Sequence, residues 1–65
     1  MLLNDRQYDF FENGITVQDV IEKMNYIYPK LIVKVNDRLI EKQDYANTPL
    51  YENDDVKIYH LLAGG

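Results

Sequence analysis

One stretch of this chain carries helical periodicity, and it lies between two pairs of short β-type runs. Val17, Val20, Ile21, Met24 and Tyr28 recur at helical spacing, so a helix built on them presents one apolar stripe. Thr16 and Asp19 stand just ahead of it at capping-box spacing, where the threonine hydroxyl can accept from a free N–H of the first turn. Asp19 also sits near the positive end of the helix dipole. Pro29 is expected to end the helix, because proline disfavours helical geometry in the residue before it.

The flanking runs are extended in character. Met1-Leu2-Leu3 is a short apolar run, Asn4-Asp5 is a turn pair, and Gln7-Tyr8-Asp9-Phe10-Phe11 resumes an aromatic strand. Asn and Asp tolerate positive φ, which makes a two-residue connection between apolar runs a hairpin signal. Glu12-Asn13-Gly14 breaks the pattern before the helix. After it, Leu31-Ile32-Val33-Lys34-Val35 is a β-branched strand. Asn36-Asp37 is a second turn pair, and Arg38-Leu39-Ile40-Glu41 returns as a short strand. Lys42 to Pro49 is polar and irregular, and Asn53-Asp54-Asp55 is an acidic turn. The last strand, Val56 to Leu61, places Val56 and Ile58 on one face and Lys57 and Tyr59 on the other.

A helix between two strand pairs buries its stripe only by covering one face of a shared sheet. The simplest closed arrangement is an α+β fold in which a mixed sheet of four or five strands wraps one helix, the β-grasp (ubiquitin-like) architecture. Residues 1–61 are expected to form that single domain and 62–65 a C-terminal tail. The expected core is Leu2, Phe10, Val17, Val20, Ile21, Met24, Leu31, Val33, Val35, Leu50, Val56 and Ile58.

Size and charge narrow the function. A domain of 65 residues buries only about 60% of the surface its unfolded chain exposes. A deep metabolite pocket is hard to build at that size, which argues against a self-sufficient enzyme. The net charge of −4 repels phosphate backbones and argues against non-specific nucleic-acid binding. It favours a basic patch on a partner protein, acting mainly on encounter rate. The absence of cysteine removes disulfides, thiolate metal sites and cysteine nucleophiles. The first residues lack the basic start and apolar stretch of a signal peptide, and no apolar run approaches the roughly 20 residues of a membrane span. The expected location is the cytoplasm, away from membranes.

Side-chain chemistry is sparse. Two of the three glycines are terminal, so no glycine-rich phosphate loop can form. His60, the one histidine, has neither a cysteine nor a nucleophile at a telling spacing and fits a packed or rim position in a strand. Glu52, Asp54 and Asp55 fall short of a calcium loop, which needs more oxygen ligands at defined spacing, and fit a solvated turn. The six tyrosines are scattered as packing residues rather than as a base-stacking platform.

Elimination leaves Leu61-Leu62-Ala63-Gly64-Gly65. At usual glycine usage, two terminal glycines arise by chance on the order of once in 200 chains. Glycine has no Cβ, so such an end can thread a narrow channel in a partner's active site. A terminal carboxylate has an intrinsic pKa of about 3.5 and is ionised at neutral pH. It is a poor electrophile until converted to an acyl-adenylate, which supplies a leaving group. A sulfur donor can then make a thiocarboxylate, allowing a cysteine-free protein to carry sulfide.

Taken in order, several segments carry a family likeness: Asn4-Asp5 after the opening strand, Thr16-Val17-Gln18-Asp19-Val20-Ile21, Ile32-Val33-Lys34-Val35-Asn36 with Leu39-Ile40, Asp44-Tyr45-Ala46, Leu50, Asp55-Val56-Lys57-Ile58, and Leu61 to Gly65. With this length and ending, the chain resembles the ThiS family, small sulfur carriers of thiamine biosynthesis within the ubiquitin-like sulfur-carrier superfamily. The likeness spans nearly the whole chain. Three departures touch turns and leave the tail intact. The first strand is a residue or two short, Asp54 stands where a glycine is common before the last strand, and Asp37 stands where a hairpin glycine is frequent. Asp and Asn occupy left-handed geometry at modest cost.

The resemblance implies a protein co-substrate with no catalytic residues of its own. A ThiF-like, ubiquitin-activating-type adenylyltransferase would use ATP and magnesium to adenylate Gly65. Sulfur released from cysteine by a desulfurase would give the Gly65 thiocarboxylate, and a ThiG-like thiazole synthase would accept the sulfur. Leu62, Ala63 and Gly64 would form the slim approach in the partner's channel. An exposed sheet face with Tyr59 and Leu61 is the docking surface expected from strand alternation. Other readings stay open: the small subunit of molybdopterin synthase, a sulfur carrier for methionine or cysteine synthesis, a β-grasp interaction module without chemistry at Gly65, and a ubiquitin-like modifier.

Overall fold

The computed structural model describes residues 1–9, 11–26 and 30–60. The chain opens with β1 (Leu2–Leu3) and β2 (Arg6–Gln7), continues through β3 (Ile15–Thr16) into α1 (Val17–Lys23), and returns as β4 (Leu31–Val35) and β5 (Arg38–Ile40). A 3₁₀ helix (Lys42–Asn47), β6 (Pro49–Leu50) and β7 (Asp55–His60) complete the described chain. Five strands form one mixed sheet in the order β2-β1-β7-β4-β5, and β3 pairs with β6 in a separate two-stranded sheet. β7 is therefore the central strand, parallel to β1 and antiparallel to β4.

Both hairpins turn on Asn-Asp pairs, as their sequence requires. Asn4 and Asp5 have φ of 53° and 68°, and Asn36 and Asp37 have 52° and 68°. Two consecutive positive φ values are the mark of a type I′ turn, whose twist matches that of the strands it joins. Gly14, at φ 91°, takes the third position of the turn that Ile15 N–H closes on the Glu12 carbonyl. Asp54 needs no left-handed geometry. The turn there runs from Tyr51 to Asp54, and the Asp54 carboxylate accepts from the Tyr51 N–H at 2.8 Å and from the Asn36 side chain at 3.0 Å. Asp55, expected in this turn, is instead the first residue of β7.

The helix starts where its capping residues place it. Asp19 N–H donates to Thr16 Oγ1 at 3.1 Å, and Thr16 N–H donates to Asp19 Oδ2 at 3.2 Å. The Val17 N–H, another unpaired donor of the first turn, reaches the Thr48 carbonyl at 3.0 Å. Replacing Thr16 with alanine is expected to cost about 1 kcal/mol, read as a lower midpoint in urea unfolding. Replacement with serine should restore most of the loss.

The helix ends earlier than Pro29 implies. Lys23 is its last residue and Met24 its C-cap. Asn25 adopts φ 59°, its N–H bonds to Glu22 O, and Tyr26 N–H bonds to Ile21 O. These are the two bonds of a Schellman motif, which asparagine can close in place of glycine. Pro29 and Tyr28 lie outside the described residues.

One core joins the sheet to the helix. Met1, Leu3, Val17, Val20, Ile21, Val33, Tyr45, Leu50, Val56 and Ile58 are buried in a single cluster. Met24, Leu31 and Val35, expected inside, are only partly buried and pack against it. Phe10 falls outside the described residues. Leu2, expected in the core, is 37% exposed. Alternation explains the exchange: Leu3 registers with Val56, whose side chain faces the helix, and Leu2 registers with Asp55 on the outer face. Pairing in the first hairpin ends with Tyr8, whose N–H bonds to the Met1 carbonyl, so the second strand is shorter than Gln7 to Phe11. The segment expected to be irregular, Lys42 to Pro49, forms the 3₁₀ helix and the start of β6, with Tyr45 buried beneath it. Burial, and secondarily the charge of Glu41, push the Tyr45 hydroxyl pKa above its usual value, so it stays neutral through physiological pH.

Candidate functional site

The functional residues expected from sequence converge on β7 and the segment after it. Val56 and Ile58 are buried, and Lys57 and Tyr59 face away from the helix. This anchors the central strand through its inward side chains and leaves its outward ones available. Tyr59 is 48% exposed and stands opposite Ile32 of β4. His60 is exposed at the strand end opposite Leu31, a rim position. Leu61, Leu62, Ala63, Gly64 and Gly65 lie outside the described residues, so only Tyr59 of the expected docking pair is placed.

Register across the sheet extends that face beyond Tyr59. Lys57 pairs with Lys34, and Lys34 pairs with Leu39 of β5. Ile32, Lys34, Leu39, Lys57 and Tyr59 therefore share the outer surface, with Leu39 56% exposed. Leu2 reaches the same face through its pairing with Asp55. Apolar residues surround the cross-strand Lys34–Lys57 pair, with Asp5 3.9 Å from the Lys57 ammonium, a face suited to a protein partner with apolar and acidic groups. It differs from the acidic character of the chain as a whole. Sequence reasoning missed Leu39, although the signal was present: once Ile40 packs against the core, its neighbour must point outward.

The Tyr51–Asp54 turn is held by side-chain acceptors. The Asp54 carboxylate holds Tyr51 and Asn36, and Glu52 N–H donates to Asn13 Oδ1 at 2.8 Å, tying this turn to the one before the helix. Among the described residues, no group of three or more acidic or histidine side chains is placed to hold a metal ion. A depression lined by Met1, Tyr8, Phe11, Ile15, Leu50 and Tyr51 lies beside the start of β1, at the opposite end of the sheet from His60. Among the described residues, no helix is long and apolar enough to cross a membrane.

The comparison that decides identity covers the chain from end to end. The family model of the ThiS family matches residues 1–65, through Gly64 and Gly65. The chain belongs to the ThiS family. Among solved structures, it is similar to the thiamine biosynthesis protein (ThiS) from Geobacter metallireducens, with a TM-score of 0.82. That match covers 98% of this chain and 96% of the other at 15% identity. At such low identity the likeness establishes the fold, and the five-stranded mixed sheet around one helix is the β-grasp expected from sequence. No curated protein matches the chain. Membership of the ThiS family supports the role of a small sulfur carrier.

Proposed function

We propose that this ThiS-family chain carries sulfur for thiazole formation in thiamine biosynthesis, on the carboxyl group of Gly65. The observation that carries the proposal is the family match running through the Gly-Gly end. A ThiF-like adenylyltransferase, using its own ATP and magnesium, joins the Gly65 carboxylate to AMP with release of pyrophosphate. The outer sulfur of a persulfide, formed from cysteine by a desulfurase, attacks the acyl carbon and displaces AMP. A second thiol of the sulfur-donating partner then cleaves the resulting acyl disulfide, so that the thiocarboxylate leaves as the two thiols join in a disulfide. A ThiG-like thiazole synthase takes that sulfur. The carrier supplies no catalytic group. Its tail, Leu62-Ala63-Gly64, provides a slender approach that a narrow channel can admit. The outer face holding Tyr59 and Leu39 offers the docking surface, together with Leu61, which follows His60 in sequence. These reactions take place in the cytoplasm.

The test is intact-mass analysis after incubation with the adenylyltransferase, ATP and a sulfur source. The expected product gains the mass of one oxygen-to-sulfur exchange, mapped to Gly65 by fragmentation. A protein that forms neither adenylate nor thiocarboxylate with its cognate activating enzyme is no carrier, and an interaction module without tail chemistry would then stand. Transfer to a molybdopterin-synthase large subunit, with none to thiazole synthase, would reassign the pathway.

A further inference from the structure

β1 is too short to hold the whole of its neighbour. It runs parallel to β7 and registers only at Leu2 with Asp55 and Leu3 with Val56. The ladder nevertheless continues through Asn4. Its backbone N–H donates to the Val56 carbonyl at 2.9 Å, although Asn4 already lies in the turn at φ 53°. Its side chain makes the next rung. Oδ1 accepts from the Ile58 N–H at 2.8 Å, and Nδ2 donates to the Ile58 carbonyl at 3.1 Å. A carboxamide carries a donor and an acceptor on one planar group, as a peptide does. It replaces the strand residue that β1 lacks.

The position of this rung matters for the tail. Ile58 lies two residues before His60, the last residue of β7, and the sequence runs on from there to Gly65. On its other side β7 is held by β4 up to His60, which registers with Leu31. Asn4 thus completes the second edge of the strand that presents the tail. Glycine would satisfy the same positive φ without strain but would leave Ile58 without both partners.

We infer that Asn4 is a positioning residue for the chemistry at Gly65: its carboxamide clamps β7 at Ile58 and fixes the base from which residues 61–65 are presented to the activating enzyme. This rests on the function proposed above. Asn4 touches no reacting atom. It acts by reducing the orientations open to the presented end, and misplacement of a reacting group is costly to rate even when the change lies away from the chemistry.

Asn36 supplies the control. It occupies the equivalent turn position at φ 52°, and its carboxamide also binds β7, but at the far end. Its Oδ1 accepts from Asp55 N–H at 2.9 Å, and its Nδ2 donates to Asp54 Oδ1 at 3.0 Å. Asn4→Gly and Asn36→Gly each remove one carboxamide and keep a residue that tolerates the turn. The two full-length variants would be compared at a temperature where circular dichroism shows both folded. The measurements are amide hydrogen exchange at Ile58 and steady-state adenylation by the activating enzyme. Asn4→Gly is expected to speed exchange at Ile58, which loses two hydrogen bonds, and to lower kcat roughly tenfold, within the cost of misplacing a reacting group, with KM little changed because the docking face is intact. Asn36→Gly should leave both measurements as in the unsubstituted protein. Equal losses of kcat in the two variants would reduce Asn4 to a general stabiliser and overturn the role. So would unchanged exchange at Ile58 in Asn4→Gly. An unimpaired Asn4→Gly beside a normally adenylated unsubstituted chain overturns the role alone. An unsubstituted chain that is never adenylated overturns the function with it.

Discussion

Leu50→Ala is expected to destabilise the protein by about 2–5 kcal/mol, the range for removing a buried leucine side chain from a core that cannot fully collapse. Leu50 is fully buried. It also lies in β6, a strand of only two residues, where its carbonyl accepts from Gly14 N–H at 2.7 Å and its Cα registers with Ile15. The side chain therefore anchors the loop side of the molecule to the helix and sheet. A natural domain of 65 residues has a total stability of about 3–10 kcal/mol, so this one change removes a large fraction of it. Chemical unfolding followed by circular dichroism should show either a strongly lowered midpoint or a substantially unfolded population without denaturant. Leu39→Ala is the contrast. Leu39 is 56% exposed on the outer face, and a surface change of this kind stays within about 0.5 kcal/mol. It is expected to spare stability and weaken docking to the activating enzyme, read as a raised KM. A loss below about 1 kcal/mol for Leu50→Ala would remove that residue from the core that holds β6 in place.

The contrast between Leu50 and Leu39 bears on what the amino-acid order discloses. Features governed by neighbouring residues were legible. The helix start followed from Thr16 and Asp19, whose bonds span three residues. Both turns followed from Asn-Asp pairs, because positive φ is a property of the residue itself. Burial of Val56 and Ile58 followed from alternation within one strand. Features governed by partners distant in sequence were not. Met1-Leu2-Leu3 is apolar throughout, so its phase is set only by pairing with Asp55 and Val56, and Leu2 and Leu3 could not be told apart. β3 and β6 have two residues each, too few for any period to show. Pro29 was the expected helix stop, but Asn25, which the chain reaches first, closes the helix by taking a left-handed φ. Tyr45 sits in a polar stretch, and only the packing of the 3₁₀ helix against the core explains its burial.

The candidate site divides along the same line. The Gly-Gly end is a local composition signal and needed no fold. Tyr59 was visible by alternation within its own strand, and Leu39 would have been by the same rule once Ile40 is placed against the core; that the two share one face follows only from register. Asn4 belongs to the second class as well. Its turn role is written in the dipeptide, but its hold on Ile58 spans 54 residues of sequence. In the second hairpin, Asp37 takes the left-handed position where a glycine is frequent, at φ 68°. An asparagine at the first left-handed position offers a carboxamide to the central strand, and glycine has none to offer.

One alanine appended after Gly65 is expected to abolish adenylation and sulfur loading while leaving the unfolding midpoint unchanged. On the proposed mechanism, the nucleophile in the first step is a carboxylate oxygen of Gly65, ionised at neutral pH because its intrinsic pKa is about 3.5. Attack on the α-phosphorus of ATP forms one oxygen–phosphorus bond and breaks the bond to pyrophosphate. The extension converts the Gly65 carboxylate to an amide carbonyl, which has no charge to offer. It moves the new carboxylate about 3.5 Å further along the chain and places a Cβ beside it, in a path that glycine alone kept narrow. Displacements of about 1 Å at a reacting centre can cost about a hundredfold in rate, so the extended protein should show no adenylate on the timescale that loads the unextended one. Among the described residues the whole core precedes His60, so the extension is expected to leave the fold intact. Intact mass and urea unfolding on the same sample separate the two effects. Sulfur loading of the extended chain without prior trimming would show that the reacting group is not the Gly65 carboxylate, and the carrier mechanism would have to be rebuilt on another atom.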